Sequence, residues 1–181
     1  LPDLDITNQP QLESYFSKNQ FDYCINCAAY TAVDLAEEQS SLAYAVNAEG
    51  PKNLAEVCQK FQTTLIHIST DFVFDGQKRT PYLETDAPNP LGVYGASKLQ
   101  GEYYIQEVME DYFIIRTSWL YSEYGNNFMK TMLRLSETRD EISVVSDQIG
   151  APTYAGDLAE VLIKIILSSS TNYGIYHYSN S

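Results

Sequence analysis

The sequence predicts an α/β protein built on a doubly wound parallel sheet with helices on both faces. Two observations predict it. Short apolar runs alternate along the chain with longer stretches of helical periodicity, which is the order of strand–helix–strand units. Small or polar residues follow three of the runs directly: Ala28-Ala29-Tyr30, Ser69-Thr70-Asp71 and Thr117-Ser118-Trp119. In doubly wound sheets, ligands sit at these carboxyl ends of strands.

Each element has a local reason. Leu1–Ile6 reads as a strand. Asn8 to Lys18 reads as a capped helix with Leu12, Tyr15 and Phe16 on one face. Phe21–Cys27 is a short apolar strand. The acidic segment from Asp34 to Glu38 suits a solvated helix start, where carboxylates complement the dipole. Ser41 to Phe61 is helical, with a break expected near Gly50-Pro51 because proline is tolerated only in a first turn. Thr63–Ser69 is a strand, and Asp75 to Gly92 is a long loop rich in Pro, Gly and Asp. Tyr94 to Met109 is helical and Tyr112–Thr117 strand-like. Phe128–Leu135 continues as helix, Ile142–Val145 as strand, Asp157–Leu167 as amphipathic helix and Gly174–Tyr178 as a closing strand.

Composition narrows the function. A length of 181 residues makes one domain the default and allows a substantial core. The net charge is −13 with no basic stripe, which argues against a nucleic-acid partner. No apolar run approaches a membrane span, and no N-terminal signal pattern is present. Three cysteines, an odd number, suit a reducing compartment and a cytoplasmic location. Cys24-Ile25-Asn26-Cys27 has redox-motif spacing, but in a strand the two thiols point to opposite faces and are expected to be plain buried residues. His67 and His177 lie far apart in strand-like runs, and no metal ligand set is visible.

The stretch with most chemistry is Tyr94-Gly95-Ala96-Ser97-Lys98. Positions i and i+4 share a helix face. A cation held there can lower a phenol whose ordinary pKa is about 10, so that it exchanges a proton with a substrate oxygen near neutral pH. A ketone accepting hydride develops negative charge on oxygen and needs a proton donor plus one more hydrogen bond. Tyr94 can donate the proton, and Thr70 or Ser69 can hold the oxygen. Lys98 can stabilise tyrosinate and still reach a hydroxyl with its other donors.

Together with their neighbours these residues resemble the extended short-chain dehydrogenase/reductase family and, within it, the dTDP-4-dehydrorhamnose reductases. The resemblance runs from Asp5 to about Leu167. It is carried by Asn26-Cys27-Ala28-Ala29-Tyr30-Thr31-Ala32-Val33-Asp34, Asn47-x-x-Gly50-x-x-Asn53-Leu54 and Ile68-Ser69-Thr70-Asp71-Phe72-Val73-Phe74-Asp75-Gly76. Arg116-Thr117-Ser118-Trp119-Leu120-Tyr121, Gly125-Asn126-Asn127-Phe128 and Asp147-Gln148-x-Gly150-Ala151-Pro152-Thr153 follow in the same order. It implies a Rossmann-like fold and NADPH- or NADH-dependent reduction of a dTDP-linked 4-keto-6-deoxy sugar, dTDP-4-dehydro-L-rhamnose, in the cytoplasm.

By the same resemblance Tyr94 is the proton donor, Lys98 its partner and ribose anchor, and Thr70 the group that polarises the ketone. Asp71 and Trp119 contact the sugar. Asp5 and Ile6 flank the adenine, and Ala28, Ala29, Tyr30 and Thr31 line the cofactor path. Asn47 supports a proton relay. No metal is implied at the site, and a homodimer is one assembly the resemblance allows. Phe72 stands where related dehydratases carry a Glu that eliminates water, which favours simple reduction. Set against the family, residues 1–181 read as a single truncated NAD(P)-binding domain, with about 118–181 beginning the substrate-binding region. The family's Gly-rich, phosphate-seating turn does not precede Leu1, so impaired cofactor binding is expected for the chain as written. NADH versus NADPH stays open. Two other readings also stay open: a non-catalytic subunit like the regulatory subunit of methionine adenosyltransferase, and another sugar-nucleotide reductase or epimerase.

Overall fold

The computed structural model describes residues 4–144, 146 and 148–180. The chain divides into two compact units, Leu1–Arg116 with Ser170–His177, and Thr117–Ser169 with Tyr178–Ser181.

The first unit carries a four-stranded sheet in the order β1-β2-β3-β6. Its strands are β1 (Tyr23–Asn26), β2 (Thr64–Thr70), β3 (Tyr112–Thr117) and β6 (Gly174–His177). β1 and β2 pair in parallel, with Asn26 opposite His67. β3 and β6 also pair in parallel, with Arg116 opposite His177. β2 and β3 read as continuous apolar runs because almost every residue in them is buried.

Helices α1 (Gln9–Phe16), α2 (Val33–Glu38), α3 (Ser40–Tyr44), α4 (Gly50–Lys60) and α5 (Val93–Val108) complete this unit. Asn8 caps α1 by accepting the Gln11 N–H at 3.2 Å. Leu12 and Phe16 of α1 pack with Leu54, Val57 and Cys58 of α4, Leu65 of β2, Ile105 of α5 and Ile114 of β3 as the core. Tyr15, expected on the same face, is 44% exposed and stacks on Phe21 instead. The break expected at Gly50-Pro51 takes the form of a π-helical turn, Ala45–Glu49, between α3 and α4. The widened turn ends just before Pro51, which then occupies a first-turn position where its missing N–H costs nothing.

Three expectations are corrected. Residues 4–6 form no strand, and Leu1 to Asp3 lie outside the described residues. Asp5 instead accepts both the N–H and the hydroxyl of Thr7, at 2.9 and 2.8 Å, and this local turn outcompetes extended pairing. Residues 142–144 form no strand either, and Val145 lies outside the described residues. Val144 is half exposed, so apolar β-branched character alone did not bring a pairing partner. Cys27 is exposed rather than buried, because β1 ends at Asn26; Cys24 is half-buried and Cys58 buried.

In the second unit, β4 (Leu120–Tyr121) pairs in parallel with β5 (Thr153–Tyr154), two strands too short to leave a periodic signal. Asn127 caps α6 (Phe128–Ser136) by accepting the Lys130 N–H at 3.0 Å. The Asn180 side chain accepts the Tyr154 N–H at 2.7 Å and donates to Asp157 at 2.6 Å, anchoring the start of α7 (Ala155–Ser168).

Candidate active site

Thr70 ends β2 and turns the chain into a single 3₁₀ turn, Asp71–Val73. Its hydroxyl accepts the Phe72 N–H at 3.2 Å and donates to the Asp71 carboxylate at 3.1 Å. α5 sits directly on this turn. A Cβ on Gly95 would overlap the Phe72 carbonyl oxygen, so the glycine after Tyr94 permits the close approach. The Phe72 ring meets Tyr94 edge to face, with centroids 5.5 Å apart.

Tyr94 is half-buried. Burial pushes its phenol above the ordinary value, the neighbouring Thr70 hydroxyl works against that, and the Asp71 carboxylate adds to the rise. The lowering expected from Lys98 does not figure among these influences. The reason is where the amine points. Lys98 is buried, and its Nζ donates to the Ile68 carbonyl at 2.7 Å and lies 3.2 Å from His67 Nε2. Burial pulls the Lys98 amine down to about 8, opposed by the Glu102 carboxylate and Cys27. Asp71 is also raised by burial, partly offset by the Thr70 bond.

Asn47 is fully buried in the π-helical turn. Its Oδ1 accepts the Tyr30 N–H at 2.8 Å, and its Nδ2 donates to the Tyr30 carbonyl at 3.0 Å and to Ser97 Oγ at 3.1 Å. Ser97 in turn donates to the Tyr94 carbonyl at 2.9 Å. One amide thus ties the segment after β1 to the first turns of α5. Ala28 and Thr31 are exposed and Ala29 and Tyr30 half-exposed, which leaves this segment open on one side. Ile6 packs on α4, while the bonds of Asp5 go to Thr7, Asn8 and Gln11. The Ile6 side chain packs where a Cβ on Gly50 would stand, and its carbonyl accepts from Asn53 at 3.0 Å. The first unit therefore links Ala28, Tyr30, Asn47, Thr70, Asp71, Tyr94 and Lys98 through connected contacts, with Ile6 packed on the helix that follows Asn47; Asp5 is held within its own turn.

Trp119 belongs to the second unit. It is 43% exposed with φ of 45°, and its carbonyl accepts the Thr153 N–H at 3.2 Å. It borders an apolar cleft of about 930 Å³ with Phe128, Met132, Leu133 and Val144. Asp147 lies outside the described residues.

Several residues of the site had no motif to announce them. Glu102, one turn beyond Lys98, is fully buried and binds Arg116 through Nε at 3.0 and 3.2 Å and Nη2 at 2.6 Å. Ser69 donates to the same carboxylate at 2.5 Å. His67 and Asn26 form the far side of the Lys98 environment. The signal was the stripe Tyr94, Lys98, Glu102 at four-residue steps, which continues the face that carries the motif.

A parallel α/β sheet with Thr70 at a strand's carboxyl end and Tyr94 on the helix packed beside it is an architecture of Rossmann-like type. The chain belongs to the family described as the RmlD substrate binding domain, matched over residues 2–181. It is 49% identical to a dTDP-4-dehydrorhamnose reductase of Aggregatibacter actinomycetemcomitans, an alignment covering 98% of this chain and 62% of that protein. It is 44% identical to the spore coat polysaccharide biosynthesis protein SpsK of Bacillus subtilis, over 98% and 62% of the two chains. Among solved structures, a dTDP-4-dehydrorhamnose reductase from Bacillus anthracis in complex with NADP aligns with a TM-score of 0.94 and 49% identity, over 98% and 63% of the chains. An ortholog from Clostridium acetobutylicum aligns with a TM-score of 0.95 and 47% identity, over 99% and 63%. The chain thus spans about 62% of the length of the curated relatives it matches.

Proposed function

We propose that this chain carries the catalytic groups of an NAD(P)H-dependent reductase. Its substrate is a dTDP-linked 4-keto-6-deoxy sugar, dTDP-4-dehydro-L-rhamnose, and its product dTDP-L-rhamnose. The observation that carries the reading is Tyr94 packed on the turn that follows Thr70, with buried Lys98 one turn along the same helix. The donor set suits a nicotinamide cofactor: Lys98 has three donors, one on the Ile68 carbonyl, and small, open Ala28 and Ala29 allow close approach beside it. When bound, that cofactor supplies the hydride.

The chain's own groups manage the oxygen. Thr70 and Tyr94 present two hydroxyls to the oxygen that gains charge, and Tyr94 gives it a proton. Burial raises the phenol, so Tyr94 is stored in its protonated, donating form. By the family resemblance Lys98 stabilises the tyrosinate left behind, which requires its amine to turn from the Ile68 carbonyl toward Tyr94. Asp71 and Trp119 orient the sugar, Asp5 and Ile6 the adenine, and Asn47 supports proton return through the segment it clamps. The second unit begins the substrate-binding region. A homodimer and a cytoplasmic site of action belong to the same reading and rest on the family resemblance.

The test is turnover of the intact protein with NADPH and dTDP-4-dehydro-L-rhamnose, beside Tyr94→Phe. The variant is expected to lose about 10²- to 10⁴-fold in kcat. Unchanged turnover would remove the proton-donor role. Substrate binding without turnover in the wild type, with stable capture of a partner enzyme, would favour a regulatory subunit.

A further inference from the structure

His67 has no role in the reductase chemistry above, yet it is fully buried against the lysine on which that chemistry depends. A chain of four hydrogen bonds runs through it. The Ala28 backbone N–H donates to Asn26 Oδ1 at 3.1 Å. Asn26 Nδ2 lies 3.0 Å from His67 Nδ1, His67 Nε2 lies 3.2 Å from Lys98 Nζ, and Lys98 Nζ donates to the Ile68 carbonyl at 2.7 Å.

The direction of this chain is fixed at one end. A backbone N–H can only donate, so Asn26 turns its oxygen to Ala28 and its NH₂ to His67. His67 Nδ1 must then accept, which puts the ring proton on Nε2, facing Lys98. An Nε2–H is a good neighbour for an amine with a lone pair and a poor one for an ammonium. All four bonds are satisfied when Lys98 is neutral. When Lys98 is charged, either two donors oppose each other at Nε2, or the ring takes the other tautomer and the opposition moves to Asn26. Asn26, His67 and Lys98 are 3%, 0% and 2% exposed, which leaves little access for solvent to repair the lost bond.

We propose that His67 is a positioning residue for Lys98, holding the amine in place while its tautomer, locked by Asn26, opposes the ammonium form. The other titratable groups that face Lys98 are Cys27 from the segment after β1 and Glu102 from its own helix; Glu102 is itself paired with Arg116 of β3. Burial of the amine acts in the same direction as the proposed lock, and Glu102 acts against it. In the reductase reading, this makes the alkaline limit of catalysis a property of the Asn26–His67–Lys98 chain. Above that limit Lys98 no longer stabilises tyrosinate.

Two measurements on the intact protein do not depend on turnover. The ¹⁵N–¹H correlation spectrum of His67 at about pH 9.5, where Lys98 is neutral, is expected to show the Nε2–H tautomer. An Nδ1–H ring there would overturn the proposal, whether or not any variant folds. The second is the ¹³Cε titration of Lys98 in His67→Gln, whose amide oxygen can turn to the ammonium. The loss of one opposed hydrogen bond is expected to raise proton affinity about tenfold, moving the midpoint up by about one pH unit. A folded variant with an unmoved Lys98 midpoint would also overturn it. The kinetic readout rests on the reductase reading: the alkaline limb of kcat/KM moves up by the same amount in His67→Gln. A merely structural role would lower activity at every pH and leave the limb in place. Absence of turnover in the wild type counts against the reductase reading and leaves the two spectroscopic tests to decide this one.

Discussion

Glu102→Ala is the sharpest test of what holds the site together. Glu102 is 0% and Arg116 4% exposed, so neither charge has appreciable water to fall back on. The carboxylate accepts three close contacts from Arg116, at 3.0, 3.2 and 2.6 Å, and a fourth hydrogen bond from Ser69 at 2.5 Å. Truncation leaves the guanidinium with a 3.4 Å approach to His177 Nε2 and the face of Phe74, 5.1 Å from its centroid. Neither of these carries negative charge. For the remaining carboxylate that acts on Arg116, Glu84, that attraction is the smallest of the influences on its carboxyl, which accepts the His177 N–H instead. An uncompensated buried charge of this kind costs about 3–5 kcal/mol. That is a large share of the roughly 5–15 kcal/mol by which a domain is stable. Chemical denaturation is expected to show a loss in that range, with Tm lower by about 6–20 °C at about 2–4 °C per kcal/mol. Replacing both partners, Glu102→Leu with Arg116→Met, is expected to recover most of the loss, because it removes the stranded charge along with the pair. A Glu102→Ala loss below about 1 kcal/mol, the range of exposed pairs, would refute the burial reasoning. So would a double variant no better than the single.

Two further outcomes are expected from side chains whose partners are on the page. Asn47→Ala strips both backbone groups of Tyr30 of their side-chain partner and removes the donor to Ser97 Oγ, which keeps its bond to the Tyr94 carbonyl, with an expected loss of about 2–4 kcal/mol in denaturation. The segment it releases is the one assigned to the cofactor, so KM for the nicotinamide is expected to rise more than kcat falls. Asp75 accepts from Tyr82 at 2.6 Å and from Asn89 and Gln77 at 3.0 Å, and these bonds hold its carboxyl at about 2 rather than 3.8. Its folded value is depressed, so the stability it adds is fully present above about pH 4 and is lost as pH falls from there through about pH 2. Asp75→Asn is expected to flatten the pH dependence of stability in that window and to lower stability at neutral pH, where the wild-type contribution is fully present.

Much of this architecture was legible because its causes are local. Apolar runs became β2 and β3, and Asn8 and Thr70 cap the turns they precede. The motif positions converge because the segments after β1 and β2 and the first turns of α5 share one edge, held by Asn47 and Gly95. The misreadings have equally local causes. At Asp5 a side chain competed successfully for the backbone. At Ile142 to Val144 two β-branched residues flanking Ser143 pair with no strand among the described residues. β4 and β5 are two residues each, below the length at which any period can be read.

The polar network under the site was hidden for a different reason. A lone Glu, Arg, Ser or His in an apolar stretch reads as an isolated polar residue, and its partner is known only once the topology is. Glu102 and Arg116 are 14 residues apart, Ser69 and Glu102 are 33, and Asn26 and His67 are 41. The periods nevertheless constrain them jointly. His67 and Ser69, two apart, share one face of β2, and Tyr94, Lys98 and Glu102, four apart, share one face of α5. Once α5 lies on β2, His67 meets Lys98 and Ser69 meets Glu102. The residues that tune the catalytic helix are thus set by the same two periods that place it, and buried polar residues on those two faces had to find each other or remain unpaired.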